Sequence, residues 1–455
     1  MNNQMLPIGK LFNIEKGVLQ STKCTPGDYD FITAAEEWKT HNEYTHECEA
    51  LIFAAAASGS LGRTHYVDGK FTTSDLCYIL TPKNDEKYPL NLSFYHFVFN
   101  SLRPSLVAAT KSGTSKESIN QTNFKNYEIP YFDIELQEFW IEKLKNTLGL
   151  KGLLGSELTC QQTLLKKLRQ QILQEAIEGK LTADWRAQNP DVEPASELLK
   201  RIAAEKAQLI KDKTVKKGKK QPPSSDYKST ISIPSDWVVS DLDDITQFIT
   251  DGTHQTPRYT NSGRVFLSAQ NVKPFQFMPE QHKYISEEDY QNYIKNRKPE
   301  VGDLLVGRVG SKGETAVIDV DVEFAFYVSL GLVKTFKEDT CPGYLAVVMN
   351  SPHGQDYAAG NMSSTGTSAG NFNLGRIRSF PIPLPPLAEQ EAIVTKVEKL
   401  FALCDQLETQ ISHNQAHAEQ LMQTVLKEAF SHNSEAEPAA TKSKASADTP
   451  EVEGA

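Results

Sequence analysis

The chain has 455 residues, of which 39% are hydrophobic, and a formal net charge of −10 from 48 Lys and Arg against 58 Asp and Glu. This composition excludes global disorder and collagen-like or disulfide-framed proteins, and the length predicts about two to four domains. The negative charge weakly opposes a general DNA-binding protein, because attraction to phosphates requires clustered Lys and Arg.

The sequence predicts a cytoplasmic protein that has no membrane partner. Its longest apolar run, residues 50–57, is far shorter than the roughly 20 residues of a membrane-spanning helix. The N-terminus has no basic region followed by an apolar one, as a signal peptide would have. The six cysteines are scattered along the chain, which fits free thiols in a reducing compartment.

An internal repeat is the main feature of the sequence. Residues 112–115 (SGTS) recur as 365–368 (TGTS), and the same offset of 253 aligns Asn120 with Asn373. Further pairs follow this offset: Ile129 with Ile382, Pro130 with Pro383, Gln137 with Gln390, Glu138 with Glu391, Leu168 with Leu421. Such a constant offset indicates two copies of one unit, each a globular domain followed by a long helix.

Upstream the repeat continues with gaps, which surface loops tolerate. Residues 59–64 resemble 310–315 at an offset of 251, and residues 11–14 resemble 242–245 at an offset of 231. We therefore predict an α+β fold with two β-rich domains in tandem repeat, separated by two long helices that form an antiparallel coiled coil.

In chain order, residues 1–130 are the first β-rich domain and residues 131–180 the first long helical region. An apolar stripe along the latter contains Trp140, Leu144, Leu158, Leu165, Leu168 and Ile172. Gly149, Gly152 and Gly155 interrupt the stripe, so a kink or break is expected there.

Residues 181–230 are predicted to form a helix over 195–210 and then a basic linker. Its segment 211–220 (KDKTVKKGKK) has the composition of a solvated linker. Two interpretations stay open for these lysines, which either contact DNA phosphates or belong to a simple tether.

Residues 231–383 form the second β-rich domain, in which short apolar runs predict strands over 303–309, 315–320, 324–328 and 330–336, with a helix over 343–349. Residues 384–432 follow a proline-rich segment and form the second long helix. Its apolar stripe contains Ile393, Val397, Leu400, Cys404, Leu407, Ile411, Asn414, Ala418, Leu421 and Val425. Asn414 is either a register-setting polar residue or an exposed irregularity. Residues 433–455 are predicted to be a disordered tail.

The sequence contains no catalytic constellation. It has no phosphate-binding GxxxxGK[ST] loop, no GxSxG and no HExxH. Asp28 followed by residues 37–39 (EWK) fits a nuclease pattern only loosely, and such a pattern is frequent by chance. We therefore expect no catalytic residue, no metal site and no cofactor in this chain.

A duplicated, non-catalytic module is suited to reading two short DNA half-sites at a fixed separation. Reading base edges requires polar side chains with paired donors and acceptors. The candidate DNA-binding residues are Lys39, Asn42, Arg63, Lys70, Lys111 and Thr114 in the first copy, and His254, Arg258, Gln270, Asn271, Arg308, Lys312 and Thr367 in the second.

Three segments resemble the specificity subunits of Type I restriction-modification systems. Residues 383–394 (PLPPLAEQEAIV) resemble the proline-to-helix junction of that family, residues 168–186 (LRQQILQEAIEGKLTADWR) resemble its central region, and residues 233–237 (IPSDW) resemble the start of a target-recognition domain. With the repeat, the resemblance extends from about Leu11 to Phe430. The first copy departs from the pattern, because residues 131–136 (YFDIEL) replace the proline-rich junction.

The resemblance implies that each domain reads half of a bipartite, asymmetric double-stranded DNA site. It also implies docking of two modification (methyltransferase) subunits and, in the full complex, two restriction subunits, to which S-adenosylmethionine, ATP and magnesium belong. The residues expected in the coiled coil and in docking are Gln137, Glu138, Leu165, Leu168, Ile172, Gln390, Glu391, Val397, Leu400, Leu407, Ile411 and Leu421. Two alternatives are a specificity subunit that serves only methylation and a duplicated protein-binding adaptor.

Overall fold

The computed structural model describes residues 4–56, 59–112, 117–222, 231–311, 313–363 and 370–430. The candidate residues Thr114, Lys312 and Thr367 and the predicted tail 433–455 lie outside the described residues. The chain divides into two compact units, one made of residues up to 158 together with those from 413 onward, the other of residues 159–412.

The first unit contains the first globular domain, in which strands and helices are mixed. Its strands are β1 (Gln4–Pro7), β2 (Phe12–Lys16), β3 (Tyr29–Ile32), β4 (Lys39–His41), β5 (His46–Ala54), β6 (Thr64–Thr73), β7 (Cys77–Pro82), β8 (Lys111–Ser112), β9 (Ser118–Ile119) and β10 (Glu128–Tyr131). Its helices are α1 (Ile8–Leu11), α2 (Leu92–Thr110) and α3 (Gln121–Asn126). They precede a long helix, α4 (Ile134–Ile177), which continues into the second unit.

The main sheet of this domain has the strand order β2-β7-β5-β6-β3-β4, with β3 parallel to β6. Both faces of β5 are buried. Leu51 and Phe53 belong to the hydrophobic core that contains α2, whereas Ala50 and Ile52 belong to a separate core on the opposite face. Successive side chains of a strand point to opposite faces, so a continuous apolar run in β5 serves two cores.

The second unit repeats this architecture with additional elements. Its strands are β11 (Val238–Asp241), β12 (Thr246–Asp251), β13 (Arg264–Leu267), β14 (Val272–Lys273), β15 (Gln276–Phe277), β16 (Lys283–Ile285), β17 (Leu304–Gly307), β18 (Thr315–Val317), β19 (Phe324–Phe326), β20 (Leu330–Thr335), β21 (Met362–Ser363), β22 (Asn371–Phe372) and β23 (Pro381–Leu384). Its helices are α5 (Ala183–Gln188), α6 (Ala195–Lys211), α7 (Glu287–Ile294), α8 (Pro342–Asn350), α9 (Pro352–Gly360) and α10 (Leu374–Arg378). A second long helix, α11 (Leu387–Phe430), belongs to both units.

The strand and helix predictions for the second domain are confirmed, because β17 to β20 lie within the predicted strand segments and α8 includes the predicted helical segment 343–349. The strands form one sheet of order β12-β20-β17-β18 and another of order β16-β13-β19. In the latter, β13 runs parallel to β19, as β3 runs parallel to β6 in the first copy.

Backbone pairing confirms the offset of 253 between the copies. Ile129 of β10 pairs with Leu6, and Ile382 of β23 pairs with Ser240. The offset of 251 is also confirmed, because Thr64 and Thr315 occupy equivalent positions opposite β5 and β17. A helix asparagine holds each of these threonines: the Thr64 N–H donates to Asn100 Oδ1 at 3.1 Å, and the Thr315 N–H to Asn350 Oδ1 at 3.0 Å.

The predicted offset of 231 near the start of each copy is wrong. The Ile8 N–H donates to the Tyr127 carbonyl at 2.9 Å, and the Leu242 N–H donates to the Phe380 carbonyl at 2.8 Å. Since Tyr127 and Phe380 are 253 residues apart, Leu242 is the counterpart of Ile8 and the offset is 234. Apolar residues recur every three positions at 8, 11 and 14, so the sequence pattern fits two registers and only the tertiary hydrogen bond selects one.

The predicted break of the first long helix is also wrong, because α4 is a single helix of 44 residues. A Cβ atom built at Gly149, Gly152 or Gly155 would meet no atom within 4 Å. Each glycine costs only about 1 kcal/mol relative to alanine in a helix. The buried side chains of Leu144 and Leu158, on either side of the glycines, offset that cost.

Candidate nucleic-acid interface

An exposed polar and aromatic edge lies beside β4 in the first copy. Lys39 and Asn42 are exposed, and the Asn42 backbone N–H donates to the Thr25 carbonyl at 3.0 Å, which fixes the chain after β4. The Lys70 Nζ atom lies 4.9 Å from the centre of the Tyr44 ring and 3.8 Å from the Glu47 carboxylate. The Lys70 ammonium thus lies over an exposed aromatic ring, while its side chain still faces solvent.

Arg63 is held differently, because its guanidinium is half-buried. It donates to the Ala34 carbonyl at 3.2 Å and lies 3.7 Å from the Glu36 carboxylate. A cleft of about 540 Å³ adjoins this pair and contains Trp38 and His65. Trp38 Nε1 donates to His65 Nδ1 at 3.3 Å, and burial lowers the pKa of His65, so the imidazole is neutral and able to accept at pH 7.

Lys111, the remaining described candidate of the first copy, is exposed at the start of β8. Its Nζ atom lies 3.0 Å from the Glu117 carboxylate. An exposed pair of this kind contributes at most about 1 kcal/mol to stability. Lys111 is therefore accessible to a phosphate but has a competing partner in its own domain.

In the second copy, His254, Arg258 and Gln270 are exposed. His254 Nε2 lies 3.1 Å from the Asp251 carboxylate. The Lys283 Nζ atom lies 4.2 Å from the centre of the Tyr259 ring, which is 47% exposed.

Sequence reasoning missed the tyrosines of both copies, and the signal was the interleaving of aromatic and basic residues. β16, which contains Lys283, pairs with β13 as β4 pairs with β3. Each copy has one lysine over an exposed tyrosine near these strands: Lys70 of β6 over Tyr44, which follows β4, and Lys283 of β16 over Tyr259, which precedes β13. Aromatic faces stack on nucleotide bases, and a lysine over such a ring adds a phosphate-attracting charge.

Asn271 and Arg308 are not accessible, which corrects their prediction as DNA-contacting residues. Asn271 is fully buried, and its amide donates to the Met278 carbonyl at 2.9 Å and to the Gln281 carbonyl at 2.6 Å. Arg308 is 6% exposed and donates to Asp251 Oδ2 at 2.6 Å and to the Phe372 carbonyl at 3.1 Å. Burial lowers the pKa of Arg308 and Asp251 opposes this shift, as expected for a structural ion pair.

The apolar stripes of the long helices divide into a buried row and an exposed row. In α11, Val397, Cys404 and Ile411 are buried at intervals of seven residues, whereas Leu407 and Leu421 are 53% and 61% exposed. Leu400 and Asn414 are partly exposed. In α4, Leu158, Leu165 and Ile172 are buried at the same interval, and Leu168 is 45% exposed. Leu168, Leu407 and Leu421 therefore lie in the exposed row of these stripes, outside the buried row.

Gln137 and Gln390 are fully buried, which corrects their prediction as subunit-docking residues. Gln137 Oε1 accepts from the Asn91 N–H at 2.7 Å, and its amide donates to the Phe132 carbonyl at 2.6 Å. Gln390 makes the equivalent bonds, to the Cys341 N–H at 3.1 Å and the Pro385 carbonyl at 3.1 Å. Each glutamine therefore joins the start of its long helix to its own globular domain. The neighbouring Glu138 and Glu391, in contrast to the glutamines, are exposed.

A buried carboxylate lies at the start of α11. Glu389 is fully buried and accepts hydrogen bonds from Thr182 Oγ1 at 2.7 Å, from Trp237 Nε1 at 2.9 Å and from Arg186. The Arg186 guanidinium also lies 5.9 Å from the centre of the Trp237 ring. The cluster joins α5, the start of the second domain and α11, and its charges are matched, so it is a structural anchor.

Among the described residues, no group of three or more metal-ligating side chains is placed to hold an ion. Within the same residues, no helix has the length and apolar character required to cross a membrane.

Comparison with known proteins identifies the fold and its duplication. The family model described as the Type I restriction modification DNA specificity domain matches residues 2–148 and again residues 234–414. The chain belongs to this family. The two matches coincide with the two copies, so the resemblance drawn from the sequence motifs and the tandem repeat are both confirmed.

Curated relatives agree with this assignment. The chain is 29% identical over 258 residues to the Type I restriction enzyme EcoEI specificity subunit and 30% identical over 272 residues to the EcoAI specificity subunit, both from Escherichia coli. These alignments include 54% and 58% of this chain but only 42% and 44% of the relatives. The chain therefore spans less than half the length of these two proteins.

Solved structures support the fold alone, because their sequence identity to the chain is 14%. A chain from a structure concerned with complex assembly and conformational transition of the type I R-M system has a TM-score of 0.58, over 94% of this chain and 97% of that one. The HsdS subunit from Thermoanaerobacter tengcongensis has a TM-score of 0.51, over 94% of this chain and 96% of its own.

Proposed function

We propose that the chain is the DNA-specificity subunit of a Type I restriction-modification complex, that it catalyses no reaction, and that each copy reads half of a bipartite, asymmetric double-stranded DNA site. Membership of the specificity-domain family supports this proposal. The main structural support is the duplication, which extends to individual hydrogen bonds such as those of Gln137 and Gln390. Two equivalent readers in one chain suit a site with two half-sites.

The proposed reading surface of each copy is the edge formed by β4 or by β16. The exposed candidates Lys39, Asn42 and Lys70 lie on this side of the first copy with Tyr44. The exposed Arg258 of the second copy adjoins Tyr259, over which Lys283 lies. Asparagine, lysine and arginine have the donors and acceptors that base edges require.

We infer that α4 and α11 form an antiparallel coiled coil that sets the unread gap between the half-sites. The buried rows with seven-residue spacing support this inference. Ion pairs also support it: Lys151 pairs with Glu419 at 2.6 Å, whereas Arg169, later in α4, pairs with Asp405, earlier in α11, at 2.5 Å. Partners that run in opposite directions along the two helices fit an antiparallel pair.

We infer that the two helices also dock two modification subunits, with two restriction subunits in the full complex. The exposed leucines of both helices support a protein interface at this place. Leu164, Leu168, Leu403 and Leu407 are each between 45% and 56% exposed, which is unfavourable for a helix that remains in water. S-adenosylmethionine, ATP and magnesium then belong to the partner subunits, to which the family assigns the chemistry. In this assembly the chain contributes recognition and spacing.

A domain exchange tests this proposal. Residues 233–383 are replaced by the matching domain of a relative with a different target, and the methylated motif is sequenced in cells that express the chimera with its modification subunit. We expect one half-site to change while the other half-site and the gap stay as they were. The reciprocal exchange of residues 1–130 serves as the matched control and should change only the other half-site.

A change of both half-sites after either exchange would contradict the two-reader proposal. An unchanged motif would show that sequence reading lies elsewhere. In that case the duplicated domains would act as a protein-binding adaptor.

A further inference from the structure

The last turns of α6, which lead into the linker, are held against the second domain. The Lys206 ammonium donates to the Thr246 carbonyl at 2.9 Å and to the Asp243 carbonyl, and it lies 3.3 Å from the Asp243 carboxylate. Lys206 is largely buried, and burial lowers its pKa although Asp243 opposes the shift. A lysine with these three partners anchors the end of α6 to the first turns of the second domain.

The far end of the described linker is anchored as well. The Lys220 ammonium lies 2.7 Å from the Asp241 carboxylate and 2.6 Å from that of Asp244. The Gln221 N–H donates to the Gly375 carbonyl at 3.1 Å. The backbone at Gly218 lies so close to the domain that a Cβ atom there would be 2.5 Å from Arg378 Nε and 2.7 Å from its Cδ.

Between these anchors, the buried side chain of Val215 is 6% exposed. Residues 206–221 are therefore a fitted surface segment of the second domain. The interpretation of this stretch as a simple tether, which the sequence left open, does not fit these contacts.

The remaining lysines of the segment face solvent. Lys211, Lys213, Lys216, Lys217 and Lys219 are all exposed. Among the described residues, no ion pair joins any of them to a carboxylate. The one acidic residue between them, Asp212, accepts from the Gln208 amide at 3.0 and 2.9 Å. The segment thus presents five like charges within nine residues.

We propose that this basic segment, defined as residues 211–219, contacts the phosphates of the DNA strand that the second domain reads. Neighbouring ammonium groups repel each other. When they neutralise the regularly spaced phosphates of a DNA duplex, this repulsion is relieved and the counterions condensed on the DNA are released. The domain itself has 13 basic against 18 acidic residues over 231–383, so these lysines add positive charge to a domain whose own net charge is negative. Phosphate contacts position a reader without specifying sequence. The inference rests on the proposed function.

The test uses the chain assembled with its modification subunits and measures Kd for a duplex containing the methylated motif over a range of salt concentrations. In the triple variant K216Q/K217Q/K219Q, the slope of log Kd against log salt should fall by about 0.9 for each lysine that contacts a phosphate. The preference for the target over a duplex with one altered half-site should not change. The variant K216R/K217R/K219R should restore the slope.

The matched control removes three lysines of the same domain that already have carboxylate partners. In K273Q/K298Q/K337Q, ion pairs of 3.8, 3.7 and 3.9 Å with Glu314, Glu323 and Glu300 are lost, and the net charge changes equally. This variant should keep the original slope. An equal fall in slope in both variants would overturn the proposal, because the effect would then be one of overall charge.

Two other results would also overturn it. Weaker DNA binding with an unchanged slope would exclude phosphate contacts by these lysines, and failure of the triple variant to assemble with modification subunits would assign the segment to a protein partner. Absence of sequence preference in the unaltered complex would instead contradict the proposed function itself, so the two failures can be told apart.

Discussion

The two places where a globular domain joins its long helix share one buried glutamine and differ at the residue before it. Gln137 and Gln390 make the same pair of backbone hydrogen bonds in the two copies. The preceding residue is Leu136 in the first copy, where it packs against the hydrophobic core. It is Glu389 in the second, where it binds Arg186, Thr182 and Trp237.

This difference shows that one fold can fix the same junction with an apolar contact or with a buried charge. The carboxylate requires partners from α5 and from the start of the second domain, so it joins three chain segments that a leucine would leave independent. A buried ion pair contributes little net stability over an apolar contact, but loss of one partner is costly. The second junction should therefore be the more sensitive of the two to single substitutions.

The largest expected effect is that of Glu389→Ala. The substitution leaves the Arg186 charge without its carboxylate and should lower the free energy of unfolding of the second unit by about 3–5 kcal/mol. The matched variant Leu136→Ala should cost roughly 1–2 kcal/mol in the first unit, since Leu136 is only partly buried and a fully buried leucine costs about 2–5 kcal/mol. Hydrogen exchange followed by mass spectrometry measures each unit separately. Equal losses would show that the two junctions do not differ in this way.

Gln390→Ala and Gln137→Ala should instead have similar effects, because the copies use the glutamine in the same way. Each substitution leaves a partly buried N–H and a buried carbonyl without their glutamine partner, and Gln137→Ala also removes the donor to the Pro89 carbonyl at 3.0 Å. A buried group without a partner costs about 1–3 kcal/mol. We expect losses of about 2–6 kcal/mol in the unit concerned, measured by the same exchange experiment. A loss confined to one copy would show that the equivalent hydrogen bonds are not equally important.

The smallest expected effect is a pH dependence of the second unit through His353. Burial lowers the pKa of this histidine, while a hydrogen bond with the Pro381 backbone and the charge of Asp356 oppose the shift. Because the unfolded chain takes up a proton near its ordinary pKa of about 6.5 and the folded chain resists it, the free energy of unfolding should fall as the pH drops from about 7 towards 5.5. His353→Gln should reduce this dependence, as followed by exchange rates at several pH values. If the free energy of unfolding of the variant depends on pH as strongly as that of the unaltered chain, the dependence arises from other groups.

Much of the fold could be predicted because residues that match between the two copies of the sequence also form equivalent backbone pairs in the two domains. The match of Ile129-Pro130 to Ile382-Pro383 is also the match of β10 to β23. The site was less predictable. Lys39 and Asn271 are both polar residues in turn-rich sequence, yet one is exposed and the other is fully buried, where its side chain caps the turn after β13.

The sequence by itself determined the duplication, the strand-rich domains, the two long helices and the family, because these depend on local periodicity and on motifs repeated at a constant spacing. The tertiary structure alone decided that Leu242 corresponds to Ile8, that Arg308 is buried against Asp251 and that the lysine-rich linker is fixed to the second domain. The physical reason is the same in each case. Burial and pairing depend on which distant residue lies opposite, and that partner is absent from the local sequence pattern.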